Sequence, residues 1–323
     1  MSKFRKIVFF NGHQNGDVAN SRGVVNYIVE QLGENFEYFF VTQRHEDAIQ
    51  FNTKVQVFRQ SFSSILPFEI LDDIKSSHEK RLHYIIDDTI FLNLWIGCSP
   101  YYLDSRAPKG HGITRKSLQY QAIECIDFIK ENSGISIEYP TENDTLPTRI
   151  VTDRNSKLLS EFVSTITTNF RKRIFIPNGN VESSQTPQFT FGNEIQSVMK
   201  NNLDVAFIYT AKNFGAETNN VFFIDDYFHI PNLKDMDVIS KWCEVLVTRA
   251  SGPGCVVSTK ENYFDRTKTF ISFTINPAIG FEALCSDEEI ENRKWGYENT
   301  AKMIWSNDFS SENLCKIIGE SIS

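Results

Sequence analysis

The run Ile7-Val8-Phe9-Phe10 is apolar at four consecutive positions, with no alternation of polar and apolar residues. A strand of that kind must be buried on both faces, and a parallel sheet covered by helices on either side is the arrangement that buries both. The residues that follow suit this reading. Asn11-Gly12-His13-Gln14-Asn15-Gly16-Asp17 reads as a turn-rich loop. From Ser21 onward, Val24, Val25, Ile28, Val29 and Leu32 recur at helical spacing, and Gly33 stands where a helix would stop. Phe36 to Val41 then reads as a second strand.

The same order returns in the second half. Arg173 to Ile176 is an apolar strand followed by a long loop from Pro177, and Asn193 to Lys200 is helical. Asp204 to Tyr209 and Val221 to Ile224 are strands, and Asp235 to Cys243 is a helix. Glu244 to Val247 is a strand leading into the turn Ser251-Gly252-Pro253-Gly254, and Phe270 to Ile275 is another strand. Between the halves, Arg81 to Ile86 and Thr89 to Ile96 read as strands around Asp87-Asp88. Arg115 to Asn132 reads as a long helix, Glu138 to Asp153 as a linker, and Ser156 to Asn169 as a helix. Strands alternating with helices point to an α/β protein, and 323 residues suit about two domains. The expected division is 1–165, 166–305 and a C-terminal helix in 306–323 that packs back on the first domain.

Composition narrows the function classes. A net charge of −8 opposes a dedicated nucleic-acid binder. The six cysteines (Cys98, Cys125, Cys243, Cys255, Cys285 and Cys315) form no C-x-x-C pair, which leaves no zinc or small-disulfide signature. No apolar run approaches the ~20 residues of a transmembrane helix, and the N-terminal run is too short for a signal peptide. A cytoplasmic location is expected.

In open α/β sheets, ligands bind beyond the carboxyl ends of the strands. Three loops occupy such positions. In Asn11–Ser21, Asp17 reads either as a helix-capping aspartate or as a general base that takes a proton from a hydroxyl, with His13 as a rival base. Arg249-Ala250-Ser251-Gly252-Pro253-Gly254 reads either as a plain turn or as a diphosphate cradle with Arg249 beside it. Pro177-Asn178-Gly179-Asn180 carries an Asn-Gly turn signal. There is no G-x-G-x-x-G, no Walker-type loop and no G-x-S-x-G elbow. Asp235-Met236-Asp237 has the D-x-D spacing that some nucleotide-sugar enzymes use to hold a metal, but acidic residues also suit the helix start that they occupy.

The run from Asp237 through Trp242-Cys243-Glu244-Val245-Leu246-Val247 to Ser251-Gly252-Pro253-Gly254 resembles the helix, strand and S/T-G-P loop of GT-B glycosyltransferases. The likeness is greatest to the heptosyltransferase-like group, the ADP-heptose:lipopolysaccharide heptosyltransferases. Asn15-Gly16-Asp17-Val18 is similar to that group's glycine–aspartate loop. The resemblance implies two Rossmann-like domains facing each other across a cleft, the first on the acceptor side and the second binding a nucleotide sugar. It implies Asp17 as catalytic base, with His13 the rival that the loop itself offers. Asn178, Gly179, Tyr209, Arg249, Ser251, Gly252, Pro253 and Gly254 would bind the donor, and Asn15, Gly16, Trp95, Tyr101 and His111 the acceptor.

The implied reaction moves a sugar from a nucleotide diphosphate sugar to a glycan, a lipid-linked saccharide or another hydroxyl acceptor; GT-B layouts serve both inversion and retention, and a positioned base such as Asp17 favours inversion. The reaction calls for no metal and no cofactor beyond the co-substrate, and a lipid-linked acceptor would bring a peripheral membrane contact. Arg249 stands where the group has a small or acidic residue, no histidine follows Gly254, and no lysine-bearing donor loop follows Ile176, so no particular sugar is implied. The same layout would also serve a non-catalytic nucleotide- or glycan-binding protein, or a nucleotide-sugar epimerase.

Overall fold

The computed structural model describes residues 3–12, 15–43, 54–59, 64, 66–67, 70–71, 83–96, 113–149, 156–179, 186–228, 233–249, 252–275, 284–292 and 299–323. The chain forms two compact units, Met1–Thr148 and Arg149–Ser323. Each is built on a parallel-dominated sheet, so the α/β expectation holds in both. No helix among the described residues is long and apolar enough to cross a membrane.

The first sheet contains β1 (Lys6–Asn11), β2 (Glu37–Thr42), β3 (Val55–Arg59), β4 (His83–Ile86) and β5 (Thr89–Asn93), in the order β3-β2-β1-β5-β4. β1, β2, β3 and β5 run parallel, and β4 closes the edge antiparallel to β5. Its turn onto β5 uses Asp87 in the left-handed region (φ 55°), which Asp tolerates better than most residues. Val8 and Phe10 are buried on one face of β1 with Val41, Leu66 and Ile70. Ile7 and Phe9 alternate to the opposite face and are also fully buried.

Helices α1 (Asn15–Asn20) and α2 (Arg22–Leu32) follow β1, and α3 is Arg115–Ser133. α3 begins in a reciprocal capping box between Thr114 and Ser117 and ends at Gly134 in the left-handed conformation (φ 70°). It packs against α2 and meets the sheet where the rings of Phe128 and His83 lie 5.2 Å apart.

The stretch read as a linker from Glu138 is instead a packed strap as far as Thr148. Thr145 and Leu146 are fully buried, and their carbonyls approach α2 so closely that a Cβ on Gly23 would lie 2.1 Å and 2.3 Å from them. Asn26 Nδ2 donates to Thr148 Oγ1 (2.9 Å), and Tyr27 OH donates to the Glu138 carbonyl (3.1 Å).

The second sheet contains β6 (Lys172–Ile176), β7 (Val205–Tyr209), β8 (Val221–Phe223), β9 (Val245–Thr248), β10 (Thr269–Phe273) and β11 (Lys302–Ser306). All are parallel, in the order β11-β10-β9-β6-β7-β8. From β6 the chain steps outward through β7 and β8, then returns to lay β9, β10 and β11 on the other side. That is the doubly wound order of dinucleotide-binding folds. Its helices are α4 (Ser156–Asn169), α5 (Gln196–Asn201), α6 (Ile224–Tyr227), α7 (Leu233–Ser240), α8 (Gly252–Val257), α9 (Lys260–Tyr263), α10 (Asp287–Asn292) and α11 (Ser311–Ile322).

The division at Thr148–Arg149 rather than at 165 gives α4 to the second unit. Phe162 of α4 packs edge-on against Phe222, Tyr227 and Phe228 of that unit, with centroids 6.1, 4.8 and 5.9 Å away. The C-terminal helix corrects another expectation. Its apolar stripe, Leu314, Ile318 and Ile322, is buried in the second sheet's core with Ile174, Val245 and Ile271, not spent on the first domain.

Two buried polar clusters secure the helix that feeds β9. Lys268 Nζ donates to the carbonyls of Ser240 (3.1 Å), Lys241 (3.0 Å) and Cys243 (2.5 Å) just past the end of α7, and burial pulls its pKa down. Arg149, the first residue of the second unit, donates through Nη2 to Asn262 Oδ1 (2.6 Å), and its Nε lies 3.8 Å from Asp237 Oδ1.

The strap and α11 generate a paired prediction. Gly23→Ala forces a backbone shift and should cost at least about 1–3 kcal/mol. Gly319→Ala, inside α11 with nothing within 4 Å of the added Cβ, should stabilise by roughly 0.5–1 kcal/mol. Urea midpoints of the two variants check both signs.

Candidate functional site

The doubly wound order has one place where consecutive connections leave in opposite directions: between β6 and β9. Chain emerging from their carboxyl ends diverges there and leaves a crevice. Two of the three loops singled out in the sequence, 177–180 and 249–254, follow these strands.

After β6, Asn178 is 1% exposed and its amide is fully engaged. Nδ2 donates to the Ala211 carbonyl (2.8 Å) and to Asn213 Oδ1 (2.6 Å). Oδ1 accepts from the Ala211 N–H (2.8 Å) and the Thr210 hydroxyl (3.3 Å). Asn213 Nδ2 returns a bond to the Asn178 carbonyl (2.8 Å). This network ties the exit of β6 to the exit of β7, so Asn178 shapes the rim through its side chain. Gly179 beside it is half-buried, and a Cβ there would meet nothing within 4 Å.

After β9, Arg249 is buried. Nη1 donates to the Phe189 carbonyl (2.7 Å) and Nη2 to the Gly179 carbonyl. The guanidinium lies 5.4 Å and 5.7 Å from the ring centroids of Phe189 and Phe191. Burial brings its pKa down to about 10, against a rise from nearby Glu194, so it is charged at neutral pH. Gly252 and Pro253 open α8 and are half-buried, and Gly254 is buried. Ser251 lies outside the described residues.

Tyr209, expected at the donor site, belongs to the core. It is fully buried between Phe214 (4.8 Å) and Phe223 (5.9 Å), its hydroxyl contacts Met199 Sδ (3.4 Å), and burial raises its pKa well above the usual phenol value. Asp235 and Asp237 of the D-x-D spacing are both fully buried in α7, and Asp237 faces Arg149. Among the described residues no group of three or more His, Cys, Asp or Glu side chains is placed to hold a metal ion.

The first sheet has its own reversal, between β1 and β5. Asn11 Nδ2 donates to the Leu94 carbonyl (3.0 Å), and the Leu94 N–H donates to the Phe10 carbonyl (2.9 Å), which extends the pairing past the strand ends. Asp17 sits in the first turn of α1, where a carboxylate suits the helix dipole, and is half-buried, as is Gly16. The loop reading of 11–21 is thus corrected in part, since 15–20 is helical. Trp95, after β5, is half-buried, and its N–H donates to Asn93 Oδ1 (2.9 Å). Asp17 and Trp95 therefore follow adjacent strands at one end of one sheet. The backbone of Asn15 begins α1; its side chain, together with His13, Tyr101 and His111, lies outside the described residues.

Several rim residues escaped the sequence reading. Thr210 and Asn213 carry the Asn178 network, and Lys212 Nζ pairs with Asp226 (2.8 Å) after β8. Phe189 covers Arg249. The one local signal was the polar run after the apolar strand Val205–Tyr209.

No family model matches the sequence, and no curated protein matches it significantly. Solved structures do match the fold along nearly the whole chain. E. coli heptosyltransferase WaaC with ADP superposes with a TM-score of 0.50 at 10% identity, covering 98% of this chain and 99% of that one. A glycosyl transferase family 9 protein from Veillonella parvula does so with a TM-score of 0.51 at 13% identity, covering 100% and 90%. The fold is therefore the two-domain α/β fold of the GT-B type, as the short motifs implied.

The Asn178 network predicts that Asn178→Ala, which leaves the Ala211 N–H and carbonyl without their partner in a part-buried setting and opens a gap at a buried position, costs about 1–3 kcal/mol. Chemical denaturation followed by tryptophan fluorescence measures it.

Proposed function

We propose that this chain is a metal-independent glycosyltransferase that moves a sugar from a nucleotide diphosphate sugar to a hydroxyl of a glycan or lipid-linked saccharide. The observation that carries the reading is the β6/β9 reversal in the second sheet, with Asn178–Gly179 on one side and Gly252–Gly254 on the other. The fold likeness to two glycosyltransferases over both domains supports it. The second domain takes the nucleotide diphosphate at that crevice, and the first presents the acceptor near Asp17, Gly16 and Trp95.

In the reaction the acceptor oxygen attacks the anomeric carbon while the Asp17 carboxylate removes its proton. The bond from that carbon to the donor's diphosphate oxygen breaks, and its electron pair leaves with the nucleoside diphosphate. Backbone N–H groups of the glycine turn opening α8 stabilise the charge that develops on the leaving group. A single displacement of this kind inverts the anomeric centre.

A nucleoside diphosphate bound to the folded chain at a hundred times its dissociation constant should stabilise it by ~2.7 kcal/mol, which a thermal-shift screen of ADP, GDP, UDP, CDP and TDP detects. In a transfer assay Asp17→Asn should lower kcat by about 10²–10⁴-fold and leave the nucleotide shift intact. Unchanged turnover in that variant removes Asp17 from the role of base. A thermal shift without transfer to any saccharide identifies a binding protein, and isomerised nucleotide sugar without acceptor identifies an epimerase.

A further inference from the structure

A guanidinium at the carboxyl end of β9 would be a natural phosphate ligand if it were free. The surroundings of Arg249 give it different work. The residue is 2% exposed. Its two Nη groups donate to the carbonyls of Phe189 and Gly179, and the rings of Phe189 and Phe191 cover it. Gly179 and Phe189 stand near the two ends of the long connection between β6 and α5. Its Nε has no partner among the described residues and each Nη keeps a second N–H, so what withholds the guanidinium from a phosphate is its burial under the two rings and not a shortage of donors.

The far end of that connection is held in two further ways. The Thr186 hydroxyl donates to the Phe273 carbonyl at the end of β10 (3.1 Å). Phe191 is fully buried in the left-handed region (φ 60°), with its ring 5.7 Å from that of Phe273. A bulky residue holds such a backbone only where its surroundings impose it. The segment from Thr186 to Phe191 is therefore drawn across the carboxyl ends of β9 and β10 in one conformation, and Arg249 joins it to the exit of β6.

We propose that Arg249 is a positioning residue: it fastens both ends of the β6–α5 connection to the carboxyl end of β9, fixing the shape of the crevice without touching the donor's phosphates. The clause about the donor rests on the function proposed above; the fastening does not.

Hydrogen exchange with mass spectrometry on the full chain, comparing wild type with Arg249→Met and Arg249→Lys, tests the fastening. Exchange at amides 186–191 should quicken at least tenfold in Arg249→Met and less in Arg249→Lys, while β7 and α11 keep their protection. Nucleotide titrations test the second clause. Affinity in Arg249→Met should fall at least tenfold, by the same factor for the diphosphate and for its nucleoside, since shape rather than a phosphate contact is lost.

Unchanged exchange at 186–191 overturns the proposal, and so does a loss of affinity confined to the diphosphate. If wild type binds no nucleotide, the donor reading fails and the exchange result alone decides the fastening. If Arg249→Met does not fold, Arg249→Lys and Arg249→Gln carry the exchange test, and no acceleration in either overturns the proposal.

Discussion

Parallel pairing of β6 with β9 is the constraint on which the second domain depends. Ile174 pairs with Val245 and Phe175 with Leu246, and all four side chains are essentially buried. Strands buried on both faces have no solvent side to which polar groups could be moved, so polar chemistry must gather beyond their ends. Because the chain departs to opposite sides after these two strands, the loops that follow diverge and expose main-chain groups between them. Asn178, Gly179, Arg249 and Gly252 all lie within four residues of those two strand ends. Their position follows from topology before any chemistry is considered.

Holding a crevice of loop backbone in one shape requires partners for polar groups that no longer have a strand beside them. Buried amides and cations supply these partners throughout the second domain. Asn178 joins two strand exits, Arg249 joins the loops after β6 and β9, and Lys268 collects three carbonyls after α7. Each long side chain carries several donors to carbonyls that would otherwise be buried unpaired, a loss that outweighs the modest net gain of an ordinary hydrogen bond. Asp235 and Asp237 are buried in the same region, Asp237 facing the Arg149 guanidinium.

Much of this architecture was legible because the central strands are uninterrupted apolar runs. β1, β6, β7, β9 and β10 declare themselves through Ile7–Phe10, Ile174–Ile176, Val205–Tyr209, Val245–Val247 and Phe270–Phe273. α3 and α11 do so through the helical spacing of their apolar residues, which the Thr114 and Ser310 caps then bound in the structure. The edge strands β3 and β11 were not read, because Val-Gln-Val-Phe-Arg and Lys-Met-Ile-Trp-Ser mix polar and apolar residues on strands paired along one side only. α1 reads as a loop because Asn-Gly-Asp-Val-Ala-Asn is rich in turn formers. Tyr209 and Arg249 share a feature that local sequence does not show. That sequence gives a polar tip after an apolar run but not what surrounds that tip: Phe214 and Phe223 around Tyr209, and Phe189 and Phe191 over Arg249. The GT-B fold was legible from two short motifs because the order of helix, strand and glycine turn is itself a topological statement.

The central claim is that the crevice beyond β6 and β9 receives a nucleoside diphosphate. Backbone amide chemical shifts, recorded while the best-binding nucleoside diphosphate is titrated into the isotope-labelled chain, test it most directly. The account predicts that the largest perturbations fall on Gly179 and on Gly252–Val257, with small ones at Arg171–Lys172 on the opposite end of the sheet. Perturbations centred on the first domain, or on the amino ends of the second sheet, would contradict it.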